Sequence, residues 1–415
     1  MAEKLTPKGM KDFLPDEMLT RERVMEKIVS VYRLYGFRPL DTPALEYVST
    51  LKAKSGDEIA GQIFKLEGEE IGLRFDLTVP LARVAANSAL PKPFKRYCVS
   101  TVWRKEEPQK GRMREFWQAD ADIIGSKSMR SEAELLRVAN DAIVALGFRK
   151  PLFLLNNRKV MDALALKLGF GEKKDTVMRL LDKIDKIGMP KVRYDVETLI
   201  GKEGADELFA ILACEGSNAE KLGACAKISP EAAKEIEEIL ANCDGLDVKV
   251  DFFLVRGLGY YTGPVFEIKL SEDIGSVGGG GRYDNLLSLY GQADCATGIS
   301  LGIERLMYLI KEMDGQAGPG RKTYTDVFVA SLKGFYAQAA GIAGEFRNAG
   351  IACESDLNER SLGKQFDYAN SLGIRFVAVV GEKEAKEKKV TIRDMQSGKE
   401  EMLEIGDAIA RVRAK

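Results

Sequence analysis

The chain has 415 residues, 45% hydrophobic and 30% charged, with a formal net charge of −1. That composition predicts a soluble globular protein with room for two or three domains, and it confines any nucleic-acid contact to local basic patches. The chain has no histidine, which excludes Ser-His-Asp and Cys-His catalysis, histidine-ligated metals and a histidine general base.

No run approaches the roughly 18 apolar residues of a membrane span, and the N-terminal segment lacks an apolar signal core. The six cysteines form no CxxC pair, so no thiolate metal site and no disulfide framework is expected. A cytoplasmic protein is the expectation, with no membrane partner and no metal held by protein ligands alone.

In residues 16–35, Val24, Ile28, Val31, Tyr32 and Tyr35 recur at helical spacing, with Asp16 as the N-cap and Gly36 as the stop. Pro39 and Pro43 then push Arg38 and Thr42 into extended conformations. This pair of elements fits packing within one subunit or against a second one. Leu73–Val84 alternates and then turns helical. Asp76 and Thr78 are expected on one side of its extended part, because strand side chains repeat every two residues. A carboxylate and a hydroxyl there suit an ammonium group, although a solvated Asp and a capping Thr fit as well.

Lys95–Gly125 predicts a hairpin, with strands over Val99–Trp103 and Phe116–Ile124 and a polar loop over Lys105–Met113. Alternation puts Trp117, Ala119, Ala121 and Ile123 on one face and Phe116, Gln118, Asp120, Asp122 and Ile124 on the other. Polar side chains facing inward on a buried strand demand partners, which favours a binding face. Lys105, Lys110, Arg112 and Arg114 give the loop a basic patch suited to a phosphate backbone, or simply a solvated charged turn.

Residues 130–147 predict an amphipathic helix and Leu152–Leu155 a strand. From residue 171 to residue 243 the chain becomes helical, charged and poor in aromatics. Phe252–Val255 and Val265–Leu270 read as strands joined by a turn that packs Arg256, Tyr260, Tyr261 and Thr262 among Gly257, Gly259 and Gly263. Glycine lets the backbone approach a ligand, and arginine offers a fork of donors for phosphate or carboxylate. Gly278–Gly281 with Arg282 and Tyr283 repeats that chemistry, as if on a second loop. Gly298, Ser300 and Gly302 then alternate with Ile299, Leu301 and Ile303, leaving room for a flat ring before a helix starts at Glu304-Arg305. Residues 313–325 read as a Gly/Pro-rich linker. Beyond them a β-α-β-α-β pattern closes with a hairpin around Ser397-Gly398.

The segments RGLGYYTGPVFE and GGGGRYDNL resemble the two signature motifs of histidyl-tRNA synthetases, which are class II aminoacyl-tRNA synthetases. KGMKDFLPDE resembles the opening signature of that family, and the hairpin and the Gly-Ile-Glu-Arg segment resemble class II motifs 2 and 3. The resemblance runs over residues 7–400. It implies an α+β catalytic domain with a mixed, largely antiparallel sheet over residues 1–170 and 244–312. It also implies a helical insertion over 171–243, a linker over 313–325 and an α/β anticodon-binding domain over 326–415.

The implied reaction joins histidine to the 3′ end of its tRNA through histidyl-adenylate, with ATP as substrate and Mg²⁺ as its companion, in a homodimer built on motif 1, which the helix over 16–35 and the proline-bearing segment after it resemble. The implied catalytic residues are Arg256 and Arg104. Arg104, Glu106, Arg112 and Arg305 would bind ATP. Asp76, Thr78, Gln118, Asp122, Tyr261 and Tyr283 would bind histidine. The alternative is a non-catalytic paralogue acting as a regulatory subunit or sensor.

One position departs from the family: Gly259 stands where the signature has Asp. A carboxylate beside Arg256 would orient a neighbouring donor, so Gly259→Asp is expected to raise or preserve the rate of adenylate formation. A large loss of that rate in a single-turnover assay would mean the site has repacked around glycine.

Overall fold

The computed structural model describes residues 6–52, 57–108, 111–255, 259–271, 275–314 and 322–414. Two compact units emerge, Met1–Asp12 with Arg23–Ile310 and Phe13–Glu22 with Lys311–Lys415. The larger contains strands β1 (Arg38–Pro39), β2 (Leu45–Tyr47), β3 (Ile71–Leu73), β4 (Phe94–Trp103), β5 (Glu115–Ile124), β6 (Leu152–Asn157), β7 (Asp247–Val250), β8 (Pro264–Lys269), β9 (Ser276–Arg282) and β10 (Ala296–Gly302). Eight of them form one sheet in the order β1-β4-β5-β10-β9-β8-β6-β7, while β2 pairs with β3. The end pairs β1–β4 and β6–β7 are parallel, and the pairs between them are antiparallel.

The alternation read from β5 holds. Ala119, Ala121 and Ile123 are buried in a core with Val24, Ile28 and Tyr32, and with Leu136 and Ala139 of the helix Arg130–Ala145. The opposite face of β5 opens on the candidate site. The charged stretch after residue 171 folds as helices from Lys174–Leu181 to Pro230–Ala241. Ser229 caps the last of these with its hydroxyl on the Ala232 N–H, and Pro230 takes the first helical position, where no N–H is needed. Leu208, Phe209, Ile236 and Ile239 of this stretch are buried in the same core as Ala139 and Phe153.

Four sequence expectations need correction. Phe252–Val255 is an irregular turn segment. Its apolar character reflects burial, and the Asn156 side-chain amide donates to the Phe252 and Leu254 carbonyls at 3.2 and 3.1 Å in place of a ladder. Thr78 opens the helix Thr78–Ala86 rather than continuing a strand. Gly278–Gly281 lies inside β9, the middle of the sheet, and not on a loop. Arg282 does not face a ligand. Its guanidinium is buried against Glu132, with Nε and Nη2 each 2.9 Å from a carboxylate oxygen, and it also donates to the Ser126 and Ser128 carbonyls.

The smaller unit holds β11 (Val327–Ser331), β12 (Cys353–Ser355), β13 (Phe376–Val380), β14 (Val390–Asp394) and β15 (Glu400–Leu403), in the order β12-β11-β13-β14-β15. The first three run parallel and the hairpin runs antiparallel. Its turn uses Gly398 at φ +71°, donating to the Asp394 carbonyl at 2.8 Å. A final helix, Ile405–Arg413, follows the hairpin where the sequence reading stopped, and buries Ala408 and Val412. Among the described residues no helix is long and apolar enough to cross a membrane.

The Arg282–Glu132 pair joins β9 to a helix 150 residues earlier in the chain. Removing Glu132 leaves the buried Arg282 guanidinium only Asp284, at 3.3 Å, and two carbonyls as partners, so Glu132→Ala is expected to lower stability by about 3 kcal/mol. Equilibrium urea unfolding checks this. A loss below about 1 kcal/mol, the range of an exposed pair, would contradict it.

Candidate active site

A cavity of about 270 Å³ opens on β5, β9 and β10. That is close to the lower end of ligand sites, roughly 300 Å³. Asp76, Thr78, Arg104, Glu106, Arg112, Gln118, Asp122, Tyr261, Tyr283 and Arg305 all line it. Arg256, and the loop's Lys110, lie outside the described residues. The walls therefore draw on segments more than 200 residues apart, brought together by the order of the strands.

The floor is backbone. Gly278, Gly279 and Gly280 of β9 line the cavity between β8 and β10. A Cβ at Gly280 would overlap the Gly298 carbonyl, and one at Gly278 would lie 2.7 Å from the Ser300 carbonyl. The four-glycine run exists because neighbouring strands and the cavity leave no volume for side chains.

One wall is β5. Its register places Asp122 opposite Gly298, Asp120 opposite Ser300 and Gln118 opposite Gly302 on β10, and Asp122 opposite Arg96 on β4. Asp122 is buried, and its Oδ2 accepts from Arg96 Nη1 at 2.8 Å. Its Oδ1 accepts from the Tyr283 hydroxyl at 2.7 Å. Burial pushes the Asp122 carboxyl upward, while Arg96 and Tyr283 pull it back. Burial first, and Asp122 second, push the Tyr283 phenol well above its ordinary range, so it remains a donor. Gln118 Nε2 donates to the Ser300 hydroxyl at 2.6 Å, and its Oε1 has no partner.

Tyr260 stands edge-on to both Tyr261 and Tyr283, with centroids 5.0 and 5.8 Å apart, making an aromatic corner. Beside it Asp76 Oδ1 accepts the backbone N–H groups of Thr78 and Val79 at 3.1 and 2.9 Å, at the positive end of the helix Thr78–Ala86. Burial raises the Asp76 carboxyl, and the Val79 N–H and the Arg104 charge oppose it.

Cations gather at the other end. The Arg104 guanidinium lies 4.5 Å from the Phe75 ring centre and 5.0 Å from that of Phe116, and donates to the Phe75 carbonyl at 3.2 Å. Arg112 is 3.4 Å from Glu106, and Arg305 donates to the Ser276 carbonyl. Three arginines beside a carboxylate-rich pocket suit a molecule with phosphates at one end and a cationic group at the other. Sequence reasoning gave Asp120 and Arg96 no role at the site, and it placed Tyr260 and Ser300 near it without assigning them one. Alternation had already set Asp120 in phase with Gln118 and Asp122, whereas Arg96 needs the β4–β5 register, which no local pattern carries.

Residues 9–306 match the family model for histidyl-tRNA synthetase, and residues 326–415 match that for an anticodon binding domain. A histidine–tRNA ligase of Aeropyrum pernix is 40% identical, with 98% of this chain and 97% of that protein covered. A crystal structure of a histidyl-tRNA synthetase from a Nostoc species superimposes with a TM-score of 0.85 at 28% identity, covering 100% of both chains. A Bacillus halodurans structure, described as an ATP phosphoribosyltransferase regulatory subunit/histidyl-tRNA synthetase, shares the fold with a TM-score of 0.77 at 23% identity, covering 92% of this chain and 99% of its own.

Gly298 gives Asp122 its space, since a Cβ there would overlap Asp122 Oδ1. Gly298→Ala is expected to displace that carboxylate from Arg96 and Tyr283 and to weaken binding of a cationic ligand there by roughly tenfold or more, on the scale of one charged hydrogen bond. Titration calorimetry with histidine reads this, and wild-type affinity would refute it.

Proposed function

This chain belongs to the histidyl-tRNA synthetase family, and we propose that the residues gathered around its cavity carry out the activation of histidine. The enzyme is an aminoacyl-tRNA ligase that joins histidine to tRNA, with ATP as a substrate. The match to an anticodon binding domain and the near full-length likeness to ligases favour this over a regulatory subunit. The observation that carries the residue roles is that every expected site residue among the described ones lines a single cavity.

In this reading the ammonium of histidine sits against Asp76 and the Thr78 hydroxyl. The ring lies in the aromatic corner of Tyr261 and Tyr283, with Gln118 and Asp122 at its polar edge. Each Asp122 oxygen already accepts one bond. A carboxylate oxygen has two lone pairs, so room remains for a ring N–H. The α-phosphate of ATP meets Arg104, whose charge burial disfavours and Asp76 supports. Arg112 and Arg305 take the γ-phosphate, and Glu106 lies toward the adenine.

The histidine carboxylate attacks the α-phosphate and pyrophosphate leaves; the tRNA 3′ hydroxyl later attacks the acyl carbon of the adenylate, and AMP leaves. This chemistry needs alignment and charge neutralisation rather than a base, in keeping with a chain that has no imidazole. Arg256 is assigned to the same α-phosphate, by family likeness alone.

Mg²⁺ fits the donor set. It favours oxygen and binds through substrate phosphates with one or two carboxylates. Among the described residues no cluster of three candidate ligands forms a cage, while the Glu304 carboxylate lines the cavity beside Arg305. The ion would neutralise phosphate charge. Exposed Leu34, Leu45 and Tyr47 support a homodimer through the motif 1 region. Six unpaired thiols support a reducing, cytoplasmic setting.

Histidine-dependent ATP–pyrophosphate exchange tests the reading. Asp122→Ala removes the shared acceptor, a loss of about 1–3 kcal/mol, so the KM for histidine is expected to rise far more than that for ATP. Equal rises in both, or exchange without histidine, would refute the assignment.

A further inference from the structure

One buried acceptor in the cavity is used by no step above. Asp120 lies between Gln118 and Asp122 on the cavity face of β5 and is 2% exposed, yet its Oδ1 has no hydrogen-bond partner. Buried carboxylate oxygens are nearly always bonded, so an unpartnered one on a residue that lines a ligand cavity points to a donor carried by the ligand. The Ser300 hydroxyl, itself held by Gln118 Nε2 at 2.6 Å, stands opposite Asp120 across β5–β10 and favours its ionised form.

Charge balance points the same way. Three buried carboxylates, Asp76, Asp120 and Asp122, share the cavity with Arg104, and Arg96 is buried behind it. In the reading above Arg104 serves the ATP phosphate and the substrate ammonium balances Asp76. Arg96 matches Asp122. One negative charge is then left over, at Asp120. A neutral imidazole has one N–H and can satisfy Asp122 or Asp120, but not both. An imidazolium has two, together with the missing positive charge.

We propose that Asp120 is a second specificity carboxylate, which together with Asp122 holds the substrate ring in its doubly protonated, imidazolium form. This rests on the reading of the cavity as the histidine site. It makes ring charge part of recognition, so a neutral ring of the same shape is rejected by an unpaired buried carboxylate.

The guanidinium, the thiol and the phenols around Asp120 stay in one state near neutral pH. On β4, Arg96 remains charged, and burial pushes the Cys98 thiol up to about 12. Tyr32, Tyr261 and Tyr283 are pushed up by burial and remain phenols. Asp76 and Asp122 add negative charge, and Arg96 opposes it. The Asp120 carboxyl itself is pushed up to about 7, by burial first and Asp122 second. At pH 8 the empty site is read as ionised. Free histidine has a neutral ring there, its pKa being about 6.5. Binding then draws about one proton from solvent, because the complex holds one more than its separated parts.

The chain has no histidine, so with ¹⁵N-labelled histidine every imidazole signal belongs to the ligand. At pH 8 the bound ring is expected to show both nitrogens protonated. Calorimetric titrations in buffers of different ionisation enthalpy should show an uptake approaching one proton per histidine. Asp120→Asn keeps the shape and removes the charge. It should return the bound ring to neutral, abolish the uptake and weaken histidine roughly tenfold or more at pH 8, leaving the KM for ATP unchanged. A neutral bound ring in the wild type, or a ring still protonated in Asp120→Asn, overturns the inference alone. The wild-type measurement stands even if the variant fails to fold. Failure of the wild type to bind histidine overturns both this inference and the reading beneath it.

Discussion

The carboxylate of Asp122 is buried between Arg96 on β4 and Tyr283 just beyond β9, and Gly298 on β10 leaves it the space. Four separate stretches of chain have to be in register for that one group to be bonded. Arg96 reaches Asp122 because it is its direct partner across β4–β5, and Gly298 faces Asp122 because it is its partner across β5–β10. A one-residue slip on either side would turn Asp122 into the core among Ala119, Ala121 and Ile123, where nothing could pair it. The same constraint fixes the aromatic corner, since Tyr283 is bonded to Asp122 and packed against Tyr260.

Much of the fold and most of the residues that line the cavity were legible in the sequence, for identifiable reasons. The two faces of β5 follow from period-two alternation, which needs no knowledge of neighbours. The motif arginines and tyrosines lie within short, distinctive words, and those words carried the family resemblance. The readings that failed depended on distant partners. Arg282 looked like a ligand donor beside a glycine run. Its actual partner, Glu132, is on a helix that only the tertiary fold brings near. Phe252–Val255 looked like a strand because it is apolar, but its carbonyls are met by the Asn156 amide.

The case of Thr78 shows how a local rule can be overridden. Alternation placed Asp76 and Thr78 on one side of a strand. The carboxylate of Asp76 instead accepts two N–H groups at the start of a helix, and this ends the extended run. Aspartate at such a position competes with strand geometry through its own short side chain. Both residues still line the cavity, although the backbone path differs from the one that alternation implied.

The glycine floor of β9 has a consequence for how this pocket could ever change. A wall made of side chains can be retuned by substitution, one methylene at a time. A floor made of peptide groups offers no such gradation, because at Gly278 and Gly280 even a methyl group meets the carbonyl of a neighbouring strand. Variation in what the cavity accepts is thus channelled onto β5 and the tyrosines. There polar groups can be exchanged without moving the sheet, while the surface beneath the ligand stays the same under mutational drift.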